Sequence, residues 1–266
     1  MTPLEQLYEI DGLPSFDLPA GLAATYGGGF GLDEPLLFAN FVSTIDGVTA
    51  IPSIPGSNKL VAAGSEADRF VMGLLRASAD AVVVGSGTFN ASPRSVWTAE
   101  QAFPGASDAF AELRRAIGRP PSAELVVLSA SGSLDPAHPA FAAGALVLTS
   151  DAGAERLEGR LPAASTVVSL GGGLELDAHA IVGTLRDRGH KLILSEGGPR
   201  VIGALLEARL VNELFLTVSP VLVGRTPADE RYALVEGADL LPAGPPGARL
   251  LGIRRDGEHL FLRYAL

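Results

Sequence analysis

An acid, two glycines and a proline stand in a row at Glu196-Gly197-Gly198-Pro199 of this 266-residue chain. Before them runs Leu192-Ile193-Leu194; after them apolar residues recur at Val201, Ile202, Leu205 and Leu206. The first run predicts a strand and the later spacing a helix, so the glycines fall in the turn between. Such a turn binds anions: backbone N–H groups and the positive end of the helix dipole face outward. Without a Cβ, glycine lets a pyrophosphate approach the main chain. Glu196 lies beside that anion site, where packing gives no reason for a carboxylate. The spacing is not a full GxGxxG fingerprint. Gly-Gly turns are also common in α/β proteins that bind nothing there, so both readings stay open on the local pattern.

Other polar groups sit at comparable places. Asp46-Gly47 follows an apolar run and is either a turn pair or a functional acid. Arg76 closes a helical pattern, where the dipole favours a cation whether or not it binds a ligand. Thr88, just past Gly85, either caps a turn or contacts a ligand, and Ser129 ends another apolar run. The four histidines, His138, His179, His190 and His259, show no metal-ligand spacing and are expected on the surface or in loops.

The elements that must position these groups alternate. A strand is expected over 35–42, leading into Ser43-Thr44-Ile45-Asp46-Gly47, with 48–50 resuming extended structure. Residues 52–64 read as a loop. Ser65 reads as an N-cap, with Asp68 three residues on as a variant capping box, opening a helix with Phe70, Val71, Leu74 and Leu75 on its apolar face. Further strands are expected at 81–84, 125–128, 145–148, 166–170 and 214–218, with helices over 107–117 and 178–188. Strands at 250–254 and 259–264 flank Asp256-Gly257, a hairpin signal. Strands alternating with helices imply a mostly parallel sheet, and small residues after several strands place a crevice at their C-terminal ends.

Composition narrows the classes. The length fits one large α/β domain, or at most two small ones, and 47% apolar residues with mean hydropathy +0.29 are enough for a substantial core. A net charge of −10 and a pI near 4.9 argue against a general binder of nucleic acid or anionic membrane. The chain has no cysteine, which excludes disulfides, thiolate zinc sites and cysteine nucleophiles. The opening MTPLEQLYEIDG lacks the pattern of a signal peptide, and no apolar run reaches membrane-spanning length, so a cytoplasmic protein is expected.

Taken in order, FVSTIDGVTA (41–50), ADRFVMGLLRASADAVVVGSGT (67–88), LILSEGGP (192–199) and LVNELFLTVSPVLVG (210–224) resemble the reductase domain of riboflavin biosynthesis. The resemblance runs from about residue 35 to the C-terminus and implies an NADPH-dependent reductase domain over 35–266 behind an N-terminal extension, 1–34. It implies a dihydrofolate-reductase-like α/β fold: a mostly parallel central sheet flanked by helices, with an antiparallel C-terminal edge hairpin. It also implies a homodimer and a small-molecule substrate. The zinc deaminase that precedes this domain in bifunctional members needs a Pro-Cys-x-x-Cys segment that a cysteine-free chain does not supply, so a stand-alone member is expected.

By the same resemblance, Val42, Gly85, Thr88 and Ser129 are cofactor contacts, Ser129 near the adenosine end. Gly197, Gly198, Pro199, Arg200, Val201 and Ile202 surround the pyrophosphate. Asn40, Ser43, Arg76 and Glu196 contact substrate, and Asp46 and Glu196 are the candidate catalytic acids. The implied reaction carries a hydride to C1′ of a phosphoribosylamino-pyrimidine, opening the sugar to a ribityl chain, with Arg76 on the substrate phosphate. One segment departs from the family: where Asp-Asp-Pro-x-Leu-Thr-x-Arg is usual, this chain has Phe89-Asn90-Ala91-Ser92-Pro93-Arg94-Ser95-Val96-Trp97. That loop helps hold the phosphoribosyl group, so a dihydrofolate-reductase-like enzyme acting on a pterin is the alternative. A non-catalytic NADP-binding protein is the alternative of another class.

Overall fold

The structure, a computed structural model, describes residues 1–54, 56–173, 175–242 and 244–266. Its strands are β1 (Glu5–Glu9), β2 (Leu36–Thr44), β3 (Ala81–Gly85), β4 (Glu124–Leu128), β5 (Ala145–Thr149), β6 (Thr166–Ser169), β7 (Leu192–Ser195), β8 (Glu213–Ser219), β9 (Arg249–Asp256) and β10 (His259–Ala265). They form one sheet in the order β1-β9-β10-β8-β2-β7-β3-β4-β5-β6. The pairings from β8 through β2 to β6 are parallel; β8–β10, β10–β9 and β9–β1 are antiparallel. This is the mostly parallel α/β architecture expected of the dihydrofolate-reductase-like class.

Both faces of the parallel part are covered, which is why β3, β5 and β7 are apolar runs buried along their whole length. On one face the helices Glu66–Ser78 and Ser107–Ala116 bring Phe70, Leu74 and Phe110 against Phe38, Val82 and Val84. On the other, Ala178–Asp187 and Pro199–Glu207 bring Ile181, Leu185, Ile202 and Leu205 against Leu37, Val83 and Ile193. Fully burying one such aliphatic or aromatic side chain is worth about 1.5–3 kcal/mol, so these two layers fix the strand order.

The residues ahead of position 35, read from sequence as an extension, supply part of the same sheet and core. β1 pairs with β9, so the C-terminal hairpin lies inside the edge rather than forming it. Leu22 and Tyr26 of the helix Ala20–Tyr26, with Phe30 and Leu32, join the core cluster of Phe38 and Phe215. Buried Arg254 donates to the Tyr26 carbonyl (2.9 Å) and to Glu9 (2.8 Å), and buried Arg263 to Glu213 and the Gly31 carbonyl. Sequence reading passed over β1 because Glu5–Glu9 is largely exposed and carries no buried alternation. It also passed over the short helices Ala99–Ala102, Pro139–Ala143 and Asp151–Leu157, and over one helical turn, Asn58–Val61, in the expected 52–64 loop. Each has seven residues or fewer, too short for a periodic signal.

Candidate active site

Unequal strand lengths open the crevice. β2 pairs with β7 only over 36–39, yet pairs with β8 over 38–44. Beyond Ser195 the upper half of β2 therefore has no strand partner on its β3 side among the described residues. The chain that leaves β7 at that point is Glu196-Gly197-Gly198, and it forms the floor between β2 and the turn after β3.

The glycines there serve different ends. A Cβ on Gly197 would lie 2.5 Å from Val201 Cγ1, and one on Gly85 would lie 2.9 Å from Val201 Cγ2. Both positions are glycine because the valine packs on them. Gly85, expected to admit the cofactor, is thus a packing glycine. Gly198 differs: its φ of −63° suits any residue, and its Cβ would meet only Thr88 Oγ1, at 3.2 Å. The space above it is bounded by a hydroxyl that makes no hydrogen bond among the described residues. Val201 N and Ile202 N donate to the Gly198 carbonyl (2.9 and 3.2 Å), whereas Gly197, Gly198 and Arg200 N–H find no acceptor among the described residues. Orphan donors at the head of a nine-residue helix, facing a free threonine hydroxyl, fit the pyrophosphate of a dinucleotide. Pro199 at the first helical position leaves no N–H to satisfy. Ile202 is fully buried in the core, so its side chain packs rather than binds, and the Arg200 stem lies near Gly237. Ser129, two strands away, is buried with an unpartnered Oγ, while its carbonyl accepts from Thr149 Oγ1 (2.6 Å).

Arg76 and Glu196 come together. Arg76 Nε donates to Glu196 Oε1 and Oε2 (3.0 and 3.2 Å), Nη2 donates to Oε2 (2.6 Å), and Nη1 donates to the Thr98 carbonyl (3.2 Å). Both side chains are nearly buried, 8% and 9% exposed. The guanidinium expected to meet a substrate phosphate is therefore turned onto the carboxylate expected beside the heterocycle. Thr98 is brought there by the segment that departs from the family pattern. Gln101 Oε1 accepts from Val96 N (2.7 Å) and Trp97 N (3.2 Å), and Gln101 Nε2 donates to the Arg94 carbonyl (2.9 Å). Trp97, held at φ +53°, stacks on Phe89 with ring centroids 5.4 Å apart. His138, in the loop before the Pro139–Ala143 helix as a loop histidine was expected to be, is buried, with its ring 3.9 Å from that of Phe89 and 6.0 Å from that of Trp97. Arg94 itself is exposed.

Asp46 is an exposed turn residue whose acceptors are all engaged. It takes Thr44 Oγ1 (2.6 Å), Gly224 N (2.8 Å) and Val223 N (3.4 Å), tying the end of β2 to the segment after β8. The Thr44 hydrogen bond holds its carboxyl below the ordinary range; desolvation opposes it, and the Gly224 and Val223 amides add to the lowering. Asn40 and Val42 share the β2 face of Phe38, whereas Ser43 lies on the opposite face, so strand alternation separates two residues expected to contact one substrate. Among the described residues no group of His, Asp or Glu could hold a metal ion, and no helix is long and apolar enough to cross a membrane.

A crevice at the carboxyl ends of a mostly parallel sheet, with free N–H groups at a helix head beside a clamped carboxylate, is the place where open α/β sheets bind ligands, and the family the chain matches makes it an oxidoreductase. The model of the RibD C-terminal domain matches residues 35–261, and the chain belongs to that reductase family of riboflavin biosynthesis. Its fold is similar to that of a pyrimidine reductase-like protein from Corynebacterium diphtheriae: 21% identity, 94% of this chain and 96% of that one, TM-score 0.64. It is similar as well to Acinetobacter baumannii RibD (19% identity, 91% of this chain, TM-score 0.64). A Thermotoga maritima diaminohydroxyphosphoribosylaminopyrimidine deaminase/5-amino-6-(5-phosphoribosylamino)uracil reductase aligns at 20% identity over 87% of this chain, TM-score 0.65. The chain spans 59% and 56% of the length of those last two proteins. Among curated proteins none matches the sequence.

Proposed function

We propose that the protein is an NADPH-dependent reductase acting on the ribosylamino group of 5-amino-6-(5-phosphoribosylamino)uracil. The observation that carries this reading is the cradle at Gly198: free N–H groups of Gly197, Gly198 and Arg200 facing Thr88, one residue from a carboxylate held by Arg76. When bound, the dinucleotide supplies the hydride. The chain holds the pyrophosphate on the cradle, and Ser129 lies toward the adenosine end. Glu196, fixed by two donors of one guanidinium, offers its remaining lone pairs to N–H groups of the heterocycle. Asn40 and Val42 line the open half of β2 against the same space.

A second reading has a specific observation in its favour. Arg76 is engaged by Glu196 and Thr98, and the segment 89–97 is folded onto Trp97, Phe89 and His138 rather than presented to a phosphate. This favours a heterocycle without a phosphate at that end, such as a pterin. Absorbance at the NADPH band decides: oxidation with the phosphoribosylamino-uracil supports the first reading, and oxidation with dihydrofolate alone supports the second. Binding of NADPH with no turnover on either substrate would leave a non-catalytic binder.

A further inference from the structure

Arg76 meets a carbonyl where the resemblance puts a phosphate, and one exposed side chain holds that carbonyl in place. Thr98 is the N-cap of the helix Ala99–Ala102, its Oγ1 accepting from Gln101 N (3.3 Å). In a capping box the glutamine at this position would return to the N–H of the cap residue itself. Gln101 reaches past it: Oε1 accepts from Val96 N and Trp97 N (2.7 and 3.2 Å), and Nε2 donates to the Arg94 carbonyl (2.9 Å). One amide thus clasps residues 94–97 into a bend, with Trp97 at φ +53°. A bulky residue keeps that backbone only where its surroundings over-determine it. Gln101 holds its N–H, and Phe89 lies against its ring with the two planes 8° apart. The chain leaving the bend delivers the Thr98 carbonyl to Arg76 Nη1 (3.2 Å). Gly73, one turn before Arg76 on its helix, allows the approach: a Cβ there would lie 3.2 Å from the Ala99 carbonyl oxygen and 2.7 Å from Phe110 Cζ.

We propose that Gln101 is a specificity-determining residue of the reductase site: its clasp on residues 94–97 seats the Thr98 carbonyl on Arg76 and so keeps that guanidinium from a substrate phosphate. The inference rests on the reductase reading above and deepens it, by assigning the residue that decides whether Arg76 is open to a ligand. A guanidinium presents its donors as a rigid fork. Nε and Nη2 of Arg76 are engaged by Glu196, and neither can leave without stranding a nearly buried carboxylate. Nη1 is the arm left for a ligand, and it points at the Thr98 carbonyl. In free competition a phosphate would displace a neutral carbonyl, because charge-assisted hydrogen bonds are the stronger. The competition is not free. The carbonyl is tied on both sides, by the Gln101 clasp before it and by Ala102 N after it, which donates to it at 3.3 Å. A phosphate would have to occupy the space the carbonyl fills. Loss of the clasp lets Trp97 leave its left-handed backbone and withdraws the carbonyl, while Glu196 still orients the guanidinium from the other side. Arg94, Val96 and Trp97 all belong to the stretch that departs from the family pattern, so the clasp is built on the segment where this chain differs.

The test compares the full wild-type chain with Gln101→Leu, which removes the clasp, and with Gln101→Glu, which keeps the acceptor for Val96 and Trp97. Gln101 is exposed, so neither change enters the core. Trp97 is the only tryptophan of the chain, and its emission reports the bend directly. Gln101→Leu should make Trp97 more accessible to acrylamide quenching, whereas Gln101→Glu should match wild type. The second readout is a ligand-observed NMR titration with ribose 5-phosphate and with ribose, which differ only in the phosphate. Wild type should bind the two within about threefold of each other, the scale of an exposed charge without a fixed partner. Gln101→Leu should favour ribose 5-phosphate by about tenfold, the effect of one charged hydrogen bond gained, with Gln101→Glu at the wild-type ratio. A more accessible Trp97 with an unchanged ratio makes Gln101 a structural residue and overturns the proposal. So does an unchanged Trp97, or a Gln101→Leu variant that does not bind ribose 5-phosphate. If Gln101→Leu does not fold, wild type decides: a preference of about tenfold for ribose 5-phosphate that Arg76→Met abolishes overturns the proposal, and its absence upholds it. Where wild type reduces a phosphorylated substrate and its unphosphorylated counterpart, the ratio of their kcat/KM values should move in Gln101→Leu with the ribose ratio. If it reduces neither, the reductase reading falls, and the sugar titrations still decide what Gln101 does to Arg76.

Discussion

Arg76→Met isolates what the guanidinium does. The substitution keeps an apolar stem of similar length and removes every donor to Glu196. That leaves a carboxylate 9% exposed without the three contacts of 2.6–3.2 Å that now satisfy it, and leaves the Thr98 carbonyl with Ala102 N as its donor. Removing one partner of a buried pair costs about 3–5 kcal/mol, because the surviving charge stays buried and unpaired. Glu196→Gln is milder: one oxygen still accepts, and the lost charged hydrogen bond is worth about 1.5–3 kcal/mol. The double variant removes both charges and should recover much of the loss, giving a coupling energy of about 2 kcal/mol or more. Urea unfolding followed by circular dichroism reads this directly. At a slope of about 2–3 kcal/mol per molar, Arg76→Met should lower the midpoint by roughly 1–2 M. Because Arg76 acts on ligands only through Glu196, the same variant should impair turnover of phosphorylated and unphosphorylated substrates alike. An unfolding midpoint equal to wild type, together with a tenfold rise in KM confined to the phosphorylated substrate, would refute this. Arg76 would then swing out to the phosphate, as its sequence position suggested.

Gly198→Val should abolish NADPH binding, measured by cofactor fluorescence, while the protein stays folded, because the new side chain meets only the end of Thr88 and the backbone is not left-handed; wild-type affinity in that variant would remove the cradle from the site. Glu196→Gln should leave NADPH affinity within a few fold and cut turnover by about 10² or more, whereas equal turnover would leave Glu196 a partner of Arg76 alone. Asp68→Asn should stabilise the protein at pH 8. The folded carboxyl is raised from 3.8 to about 6, so wild type is most stable with Asp68 protonated and loses stability as pH rises from about 4 through 6. The difference between variant and wild type in urea should therefore be small at pH 4 and grow to about 3 kcal/mol by pH 7, at about 1.4 kcal/mol per pKa unit; a pH-independent difference counts against the raised carboxyl.

Strand runs such as Ala81–Gly85 and Leu192–Ser195 were legible because parallel strands covered on both faces must be continuously apolar, and Ser65 because an N-cap is a local event. The crevice was legible at Glu196-Gly197-Gly198 for the same reason: turn, orphan N–H groups and helix head all lie within a few residues. What sequence could not supply is partnership at a distance. Arg76 and Glu196 are separated by 120 residues, and nothing local distinguishes a guanidinium that meets a ligand from one that meets a carboxylate brought by another strand. Asp68 is the sharper case. Its spacing from Ser65 satisfied a local rule completely, so the sequence offered no residue of meaning to assign elsewhere. Only the Ala62 carbonyl taking Ser65 N, and the burial of the Asp68 side chain, turn the carboxyl from a helix cap into a buried acid. Glycines divide along the same line: Gly85, Gly197 and Gly198 are equivalent in sequence, yet Val201 requires two of them and leaves Gly198 alone free to be required by something the chain itself does not contain.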